Sequence, residues 1–196
     1  MFQNQHSTIP MKQFRLITLC LTVFLAGLSL SASAQSSSAA STVLLRIEGT
    51  KVAMTGEVTQ KGREGQHSVL AYSHEITAPR DSASGQATGK PQHQPFRVVK
   101  LINRSSPLLL QAIASGELLP TVTLDIWTPS SATGAETKIL TYVLKNARIV
   151  SVRPWMPNKH DTAAMNYGPA EEIAFTYESM IESFLNGVTS GEAGWQ

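Results

Sequence analysis

Apolar and polar positions alternate with a period of two along most of this chain, which predicts strands. Val43, Leu45 and Ile47 share one face of a short run that Gly49 ends. Over 68–77, Leu70, Tyr72 and Ile76 share a face that His74 interrupts. Residues 96–102 (FRVVKLI) are β-branched and apolar, and over 121–127 Val122, Leu124 and Ile126 alternate with Thr121, Thr123 and Asp125. Residues 138–152 open with Leu140, Tyr142 and Leu144 inward and close on Val150 and Val152, so Asn146-Ala147 between them marks a bulge or a bend. The segment 171–183 is ambiguous. Ile173, Phe175, Tyr177 and Ile181 fit a strand, whereas Ile173, Tyr177, Ile181, Phe184 and Leu185 fit a helix; the Phe-Thr-Tyr centre favours the strand.

One helix interrupts the strands. Ser105 supplies an N-cap, Pro107 falls in the first turn and Gly116 is the terminator. Leu109, Ala112 and Ile113 give it one apolar face, and at this length it needs tertiary packing to persist. Two connections are unusually long: 78–95, rich in small and turn-forming residues, and 154–169, which holds three prolines. Loops of that length are typically binding elements or disordered. No repeat is visible at a fixed period.

The N-terminal region reads as an address. Lys12 and Arg15 precede an apolar run from Leu16 to Leu30, and Ala32-Ser33-Ala34 supplies the small-x-small pattern of a signal peptidase site. The run is shorter than the ~20 residues of a membrane-spanning helix. Residues 1–34 are therefore expected to be a cleaved secretory signal, with Ala32, Ala34 and Gln35 at the cut. Translation starts at Met1 or at Met11. Residues 35–42 read as a flexible lead-in, 43–185 as one domain and 186–196 as a flexible tail.

The whole chain carries 16 Lys and Arg against 14 Asp and Glu. The leader takes Lys12 and Arg15 and no acid, so the mature chain is neutral. That removes any basic surplus for nucleic acid, and signal cleavage leaves no stable membrane insertion. The single cysteine, Cys20, also leaves with the leader, which excludes a disulfide framework and any multi-cysteine metal site. The expected location is outside the cytoplasm: periplasm, cell surface or medium.

Reactive constellations are missing from the sequence. It has no Gly-x-Ser-x-Gly elbow, no phosphate-binding loop and no His-Glu-x-x-His. His67 and His74 are an odd number of residues apart, so a continuous strand would point them to opposite faces. Glu171 and Glu172 diverge for the same reason and read as solvated charges opening an element. Trp127, Trp155 and Trp195 do not cluster in sequence, and the acceptor triplet Asn103-Arg104-Ser105 overlaps the helix cap. No catalytic residue, cofactor or metal ligand is assigned.

A longer pattern carries more information. Pro95-Phe96-Arg97-Val98-Val99-Lys100 leads to Asn103-Arg104-Ser105-Ser106-Pro107-Leu108-Leu109-Leu110, then to Gly116-Glu117-Leu118-Leu119-Pro120 and the strand from Thr121. Ile47-Glu48-Gly49, the run from Tyr142 to Val152, Met156-Pro157-Asn158 and the run from Glu171 to Tyr177 complete it. This resembles the Hcp family, the haemolysin-coregulated tube proteins of type VI secretion systems, over residues 42–182. The resemblance implies a mainly β fold: a small antiparallel β-barrel of two packed sheets flanked by one short α-helix, with 171–183 a strand. It also implies a non-enzymatic structural subunit that closes into hexameric rings, stacks into a tube and carries effectors, with itself and type VI effector or spike proteins as partners. The loop 79–95 corresponds to the family's subunit-contact arm, which makes Arg80, Asp81, Gln86, Lys90 and His93 candidate contact residues. A polar arm of this kind gains order by docking.

The leader departs from the family, whose tube subunits are ordinarily made without one. An alternative is therefore an exported binding module that keeps the barrel and acts without a tube, since fold does not fix function.

Overall fold

The computed structural model describes residues 40–130, 133–158, 160, 162, 168–185 and 188–195. The expected leader, with Ala32, Ala34 and Gln35, lies outside the described residues. Among the described residues, ten strands and one helix follow in chain order. They are β1 (Thr42–Glu48), β2 (His67–Ser73), β3 (Ile76–Thr77), β4 (Gln92–His93), β5 (Phe96–Leu101), α1 (Ser106–Ser115), β6 (Leu119–Pro129), β7 (Glu136–Trp155), β8 (Ala170–Thr176), β9 (Ser179–Phe184) and β10 (Thr189–Gly194).

All strand pairs are antiparallel. Six of the strands, in the order β7-β6-β1-β2-β5-β8, close into a barrel because β8 also pairs with β7. Closure removes the free edges that an open sheet would expose. The strand β7 makes it possible. Its first half, Leu140 to Lys145, pairs with β6 on one side and β9 on the other. Its second half, from Arg148 to Trp155, pairs with β8. The turn between the halves is Asn146, whose φ of 50° lies in the left-handed region that asparagine tolerates better than most residues.

That turn changes which residues face the core. Leu144 is buried, but so are Ala147 and Ile149, while Val150 is exposed. The expected inward Val150 is thus corrected: Asn146 switches the alternation from even to odd positions. An irregularity between Ile149 and Ser151 switches it back, so Val152 packs on the core. A bulge at Leu70, between Val69 and Ala71, does the same in β2. His67 and Val69 point inward before it and Tyr72 packs on the core after it, which leaves Leu70 exposed.

The helix α1 closes one side of the barrel, packing against β7. Leu109 and Ala112 are buried as their spacing requires, and burial of a leucine of this kind contributes about 1.5–3 kcal/mol. At the C-terminus Gly116 adopts φ 60°, and the amides of Gly116 and Glu117 bond to the Ile113 and Ala112 carbonyls. Ser105 occupies the N-cap position but makes no side-chain cap bond; its hydroxyl donates to Asn103 Oδ1 at 2.7 Å instead.

Beyond the barrel, residues expected to be a flexible tail include β10, which pairs with β9 from Thr189↔Phe184 to Gly194↔Ser179. The segment 171–183 is strand, as expected, but is broken into β8 and β9 at Tyr177 and Glu178.

Candidate functional site

The long connection 78–95 is an ordered hairpin arm. Ile76 and Thr77 pair with His93 and Gln92, and Arg80 bridges Ala87 further out. The tip is built around Asp81. Its Oδ1 accepts the Ala83 amide, the Ser84 amide and the Ser84 hydroxyl at 3.1, 2.7 and 2.8 Å. Those donors hold the Asp81 carboxyl below the usual carboxylate range. Arg80 Nη1 donates to the Gly85 carbonyl at 3.1 Å, and the amides of Asp81 and Thr88 bond to the Gln86 and Pro79 carbonyls. The arm has its own hydrogen bonds without a partner, which corrects the expectation of order gained only by docking. Residues 80–92 are nonetheless exposed throughout, Arg80, Asp81, Gln86 and Lys90 among them.

His93 differs from the other four. It is half-buried at the root of the arm, where Nδ1 lies 2.8 Å from Tyr177 Oη. The same hydroxyl lies 2.7 Å from His74 Nε2. Around this triad, Phe96 stacks on His74 at 5.4 Å, and Trp195 meets His93 at 5.8 Å and Tyr177 at 5.5 Å. Burial, and then the neighbouring His93, hold His74 below its ordinary value; burial pushes the Tyr177 phenol up to about 12. The interruption at His74, seen in the sequence as a break in alternation, is where the chain leaves β2 for the arm.

A second polar cluster fixes two barrel strands to the start of the helix. Lys100 on β5 and Glu171 on β8 form an ion pair of 2.6 Å with side chains 0% and 3% exposed. Lys100 Nζ also donates to Asn103 Oδ1 at 3.0 Å, and Ser106 Oγ donates to Glu171 at 2.7 Å. Asn103 Nδ2 reaches Glu57 and His67 Nδ1, so the half-buried amide of the acceptor triplet is already hydrogen-bonded within the chain. Glu171 is therefore not the solvated charge expected of it, although Glu172 does point away and bonds Arg97 at 3.0 Å and Arg153 at 3.1 Å. His67 and His74 do not meet at a common partner. His67 bonds the Met54 carbonyl, and among the described residues no group of three or more His, Cys, Asp or Glu side chains is placed to hold a metal ion.

Residues 44–183 match the family described as "Type VI secretion system effector, Hcp". The chain belongs to the Hcp family. A "Major exported protein" of Pseudomonas aeruginosa is 36% identical over 141 residues, 72% of this chain and 81% of that protein. The crystal structure of an Hcp protein superposes with a TM-score of 0.73 at 26% identity, covering 80% of this chain and 99% of that one. The secreted protein Hcp3 from Pseudomonas aeruginosa gives 0.64 at 28% identity, with 80% and 99% covered. Hcp proteins are structural components of type VI secretion, and the mainly β barrel with its short helix is the Hcp fold.

Sequence reasoning named the arm but missed Tyr177 and Trp195 at its root, and it missed the buried pair of Lys100 and Glu171. The usable signal was a lysine at an inward position of an apolar strand, which needs a buried acid as partner.

Proposed function

We propose that the mature chain, released by cleavage after Ala34, is a non-enzymatic ring subunit. Six copies close head to tail, and the rings stack into a tube able to hold effector proteins. The observation that carries this reading is the arm: its outer part is exposed on all sides yet held in one conformation by its own ladder and by the His93–Tyr177 root. A preformed element without a packing partner in its own chain loses little entropy when it docks on a neighbour. A repeated head-to-tail contact then closes into a ring if its rotation divides the circle. Arg80, Asp81, Gln86 and Lys90 would face the next subunit, whereas His93 would act by holding the arm.

A second reading follows from the leader. The Lys12-to-Ala34 pattern directs the chain through general export, before a cytoplasmic tube could form. An exported Hcp-fold binding module would then use the arm for another partner. The native mass of the exported, mature protein decides between them. A mass six times that of the subunit supports the ring; a monomer at micromolar concentration overturns it in favour of the binding module.

A further inference from the structure

The arm is fastened to the barrel at one polar point. Among the described residues, 76–93 reach the rest of the chain by a single hydrogen bond, that of His93 Nδ1 with Tyr177 Oη at 2.8 Å. The other hydrogen bonds of those residues close within the arm. The same hydroxyl holds His74 Nε2 at 2.7 Å, where β2 gives way to the arm. Both ends of the arm thus meet the β8–β9 corner through one oxygen. We propose that the His74–Tyr177–His93 bridge is a proton-operated latch, closed while at most one of its imidazoles is charged and open when both are.

Counting hydrogens gives the rule. The bridge has two contacts, and each needs one hydrogen between its atoms. Burial keeps the Tyr177 phenol protonated. Its O–H donates to one imidazole, and the N–H of the other imidazole donates to Oη. One added proton fits on the outer nitrogen of the donating ring and leaves both contacts whole. A second must go to the nitrogen that accepts from Tyr177. The phenol hydrogen then has no imidazole acceptor, and Tyr177 is 5% exposed, so that hydrogen is left buried and unpaired. The two rings, with centroids 6.3 Å apart, become like charges across a half-buried site.

Nothing nearby offsets that charge. A cleft of about 290 Å³ admits water beside His74, with Glu75 and Arg97 among its walls, and Arg97 on β5 is itself a cation paired with Glu172. The β8–β9 corner adds Glu178, which bonds Asn146, and the chain beyond β10 adds the Trp195 ring. Behind Phe96 stand the phenols of Tyr72 and Tyr142, and β3 and β4 carry no charged side chain besides His93. Among the described residues no carboxylate forms an ion pair with either ring. Burial, and then His93, hold His74 below its ordinary 6.5. The latch is therefore closed above about pH 6.5 and opens as the pH falls through the lowered value. Opening leaves the arm's own ladder intact and frees it to turn about its base, where the Gln94 amide bonds the Glu75 carbonyl at 2.9 Å. A pH-dependent supply of docking arms rests on the docking role proposed above; the latch itself does not.

The test places spin labels at Ser82→Cys on the arm and Gln111→Cys on α1 of the exported, mature protein, which keeps no cysteine of its own. Labelled chains are diluted with unlabelled ones, so each distance lies within one subunit. Pulsed electron paramagnetic resonance should give one narrow distance at pH 7.5 and a broad distribution at pH 5.0. Tyr177→Phe, which keeps the ring and loses the hydroxyl, should be broad at both. Exchange of the imidazole C2 hydrogens, read by mass spectrometry, reports the protonation of each histidine. A distribution that stays narrow with both rings protonated overturns the latch. So does a narrow one in Tyr177→Phe, or a His74 still neutral at pH 5.0. A barrel pair, Thr137→Cys with Gln111→Cys, should stay narrow throughout; if it broadens along with the arm pair, the barrel is unfolding and the latch is overturned as the cause. Native mass on the same samples tests the ring separately, since distances within a subunit are read whether or not rings form.

Discussion

Lys100 on β5 and Glu171 on β8 stand 2.6 Å apart with their side chains almost wholly out of solvent. Both charges have additional partners, Asn103 for the lysine and Ser106 for the glutamate, so the helix start is tied to two barrel strands at once. Removing one partner leaves the other charged and buried. Lys100→Ala and Glu171→Ala should each cost about 3–5 kcal/mol in denaturant unfolding. The Lys100→Met/Glu171→Leu double variant should cost less than the two single losses combined. Additive losses would show that the pair is not coupled.

Acid should weaken the fold through His67. This ring is fully buried, with Nε2–H donating to the Met54 carbonyl at 2.9 Å. Burial first, and the nearby Lys100 charge second, hold it below its ordinary value of 6.5. The unfolded chain thus binds a proton that the folded chain refuses. Stability is complete above about pH 6.5 and falls as the pH drops from there toward the depressed folded value. His74, lowered in the same direction, adds to the slope. Urea midpoints at pH 7.5 and 5.5 should separate for the wild-type chain and separate less for His67→Gln. An equal separation in both would assign the acid sensitivity elsewhere.

The turn at Asn146 makes a backbone prediction. At φ 50° a Cβ-bearing residue is strained and glycine is not. Both Asn146→Gly and Asn146→Ala lose the bond to Glu178, so their difference isolates the backbone. Alanine should be less stable than glycine by about 1 kcal/mol. The reverse order in thermal unfolding would contradict the left-handed assignment.

Close packing of two loops supplies another. A Cβ on Gly56 would lie 2.2 Å from the Gln66 carbonyl oxygen, and the Gly56 amide already bonds the Gly65 carbonyl at 2.8 Å. Backbone cannot yield as a side chain does. Gly56→Ala should destabilise by about 2–4 kcal/mol, measured by denaturant unfolding. A loss under half a kilocalorie, about the size of an ordinary surface change, would mean that the loop relaxes freely.

Assembly can be separated from folding at the arm. Replacing residues 80–91 by a Gly-Ser turn removes exposed positions while sparing His93 and its contact with Tyr177. The melting temperature should hardly move, since surface positions seldom contribute more than about 0.5 kcal/mol. The ring mass should be lost. A shortened chain that still forms rings would place the subunit contact outside the arm.

Much of this architecture was legible in the sequence. Val122, Leu124 and Ile126 of β6 are buried as their alternation requires, although Asp125 between them is buried too, and α1 begins and ends where Pro107 and Gly116 put it. The misassigned faces of Leu70 and Val150 share one cause: a single extra or left-handed residue reverses every later position, and whether a strand bulges depends on the partner across from it. Burial of Glu171 was illegible for a related reason, because its partner lies on another strand, far away in sequence. The strand β10 gave no signal. Its Thr-Ser-Gly-Glu-Ala-Gly sequence is nearly all exposed, so it has no face to mark with apolar residues. The root of the arm was missed because His74, His93, Tyr177 and Trp195 meet only through the fold.

Trp195 sits just past β10, with its amide bonded to the Glu178 carbonyl and its ring against His93 and Tyr177. Whatever is joined to the chain beyond that residue is delivered to the base of the arm. A purification tag or reporter placed there is therefore a perturbation of the proposed docking element, and a fusion at that end would test assembly rather than merely observe it.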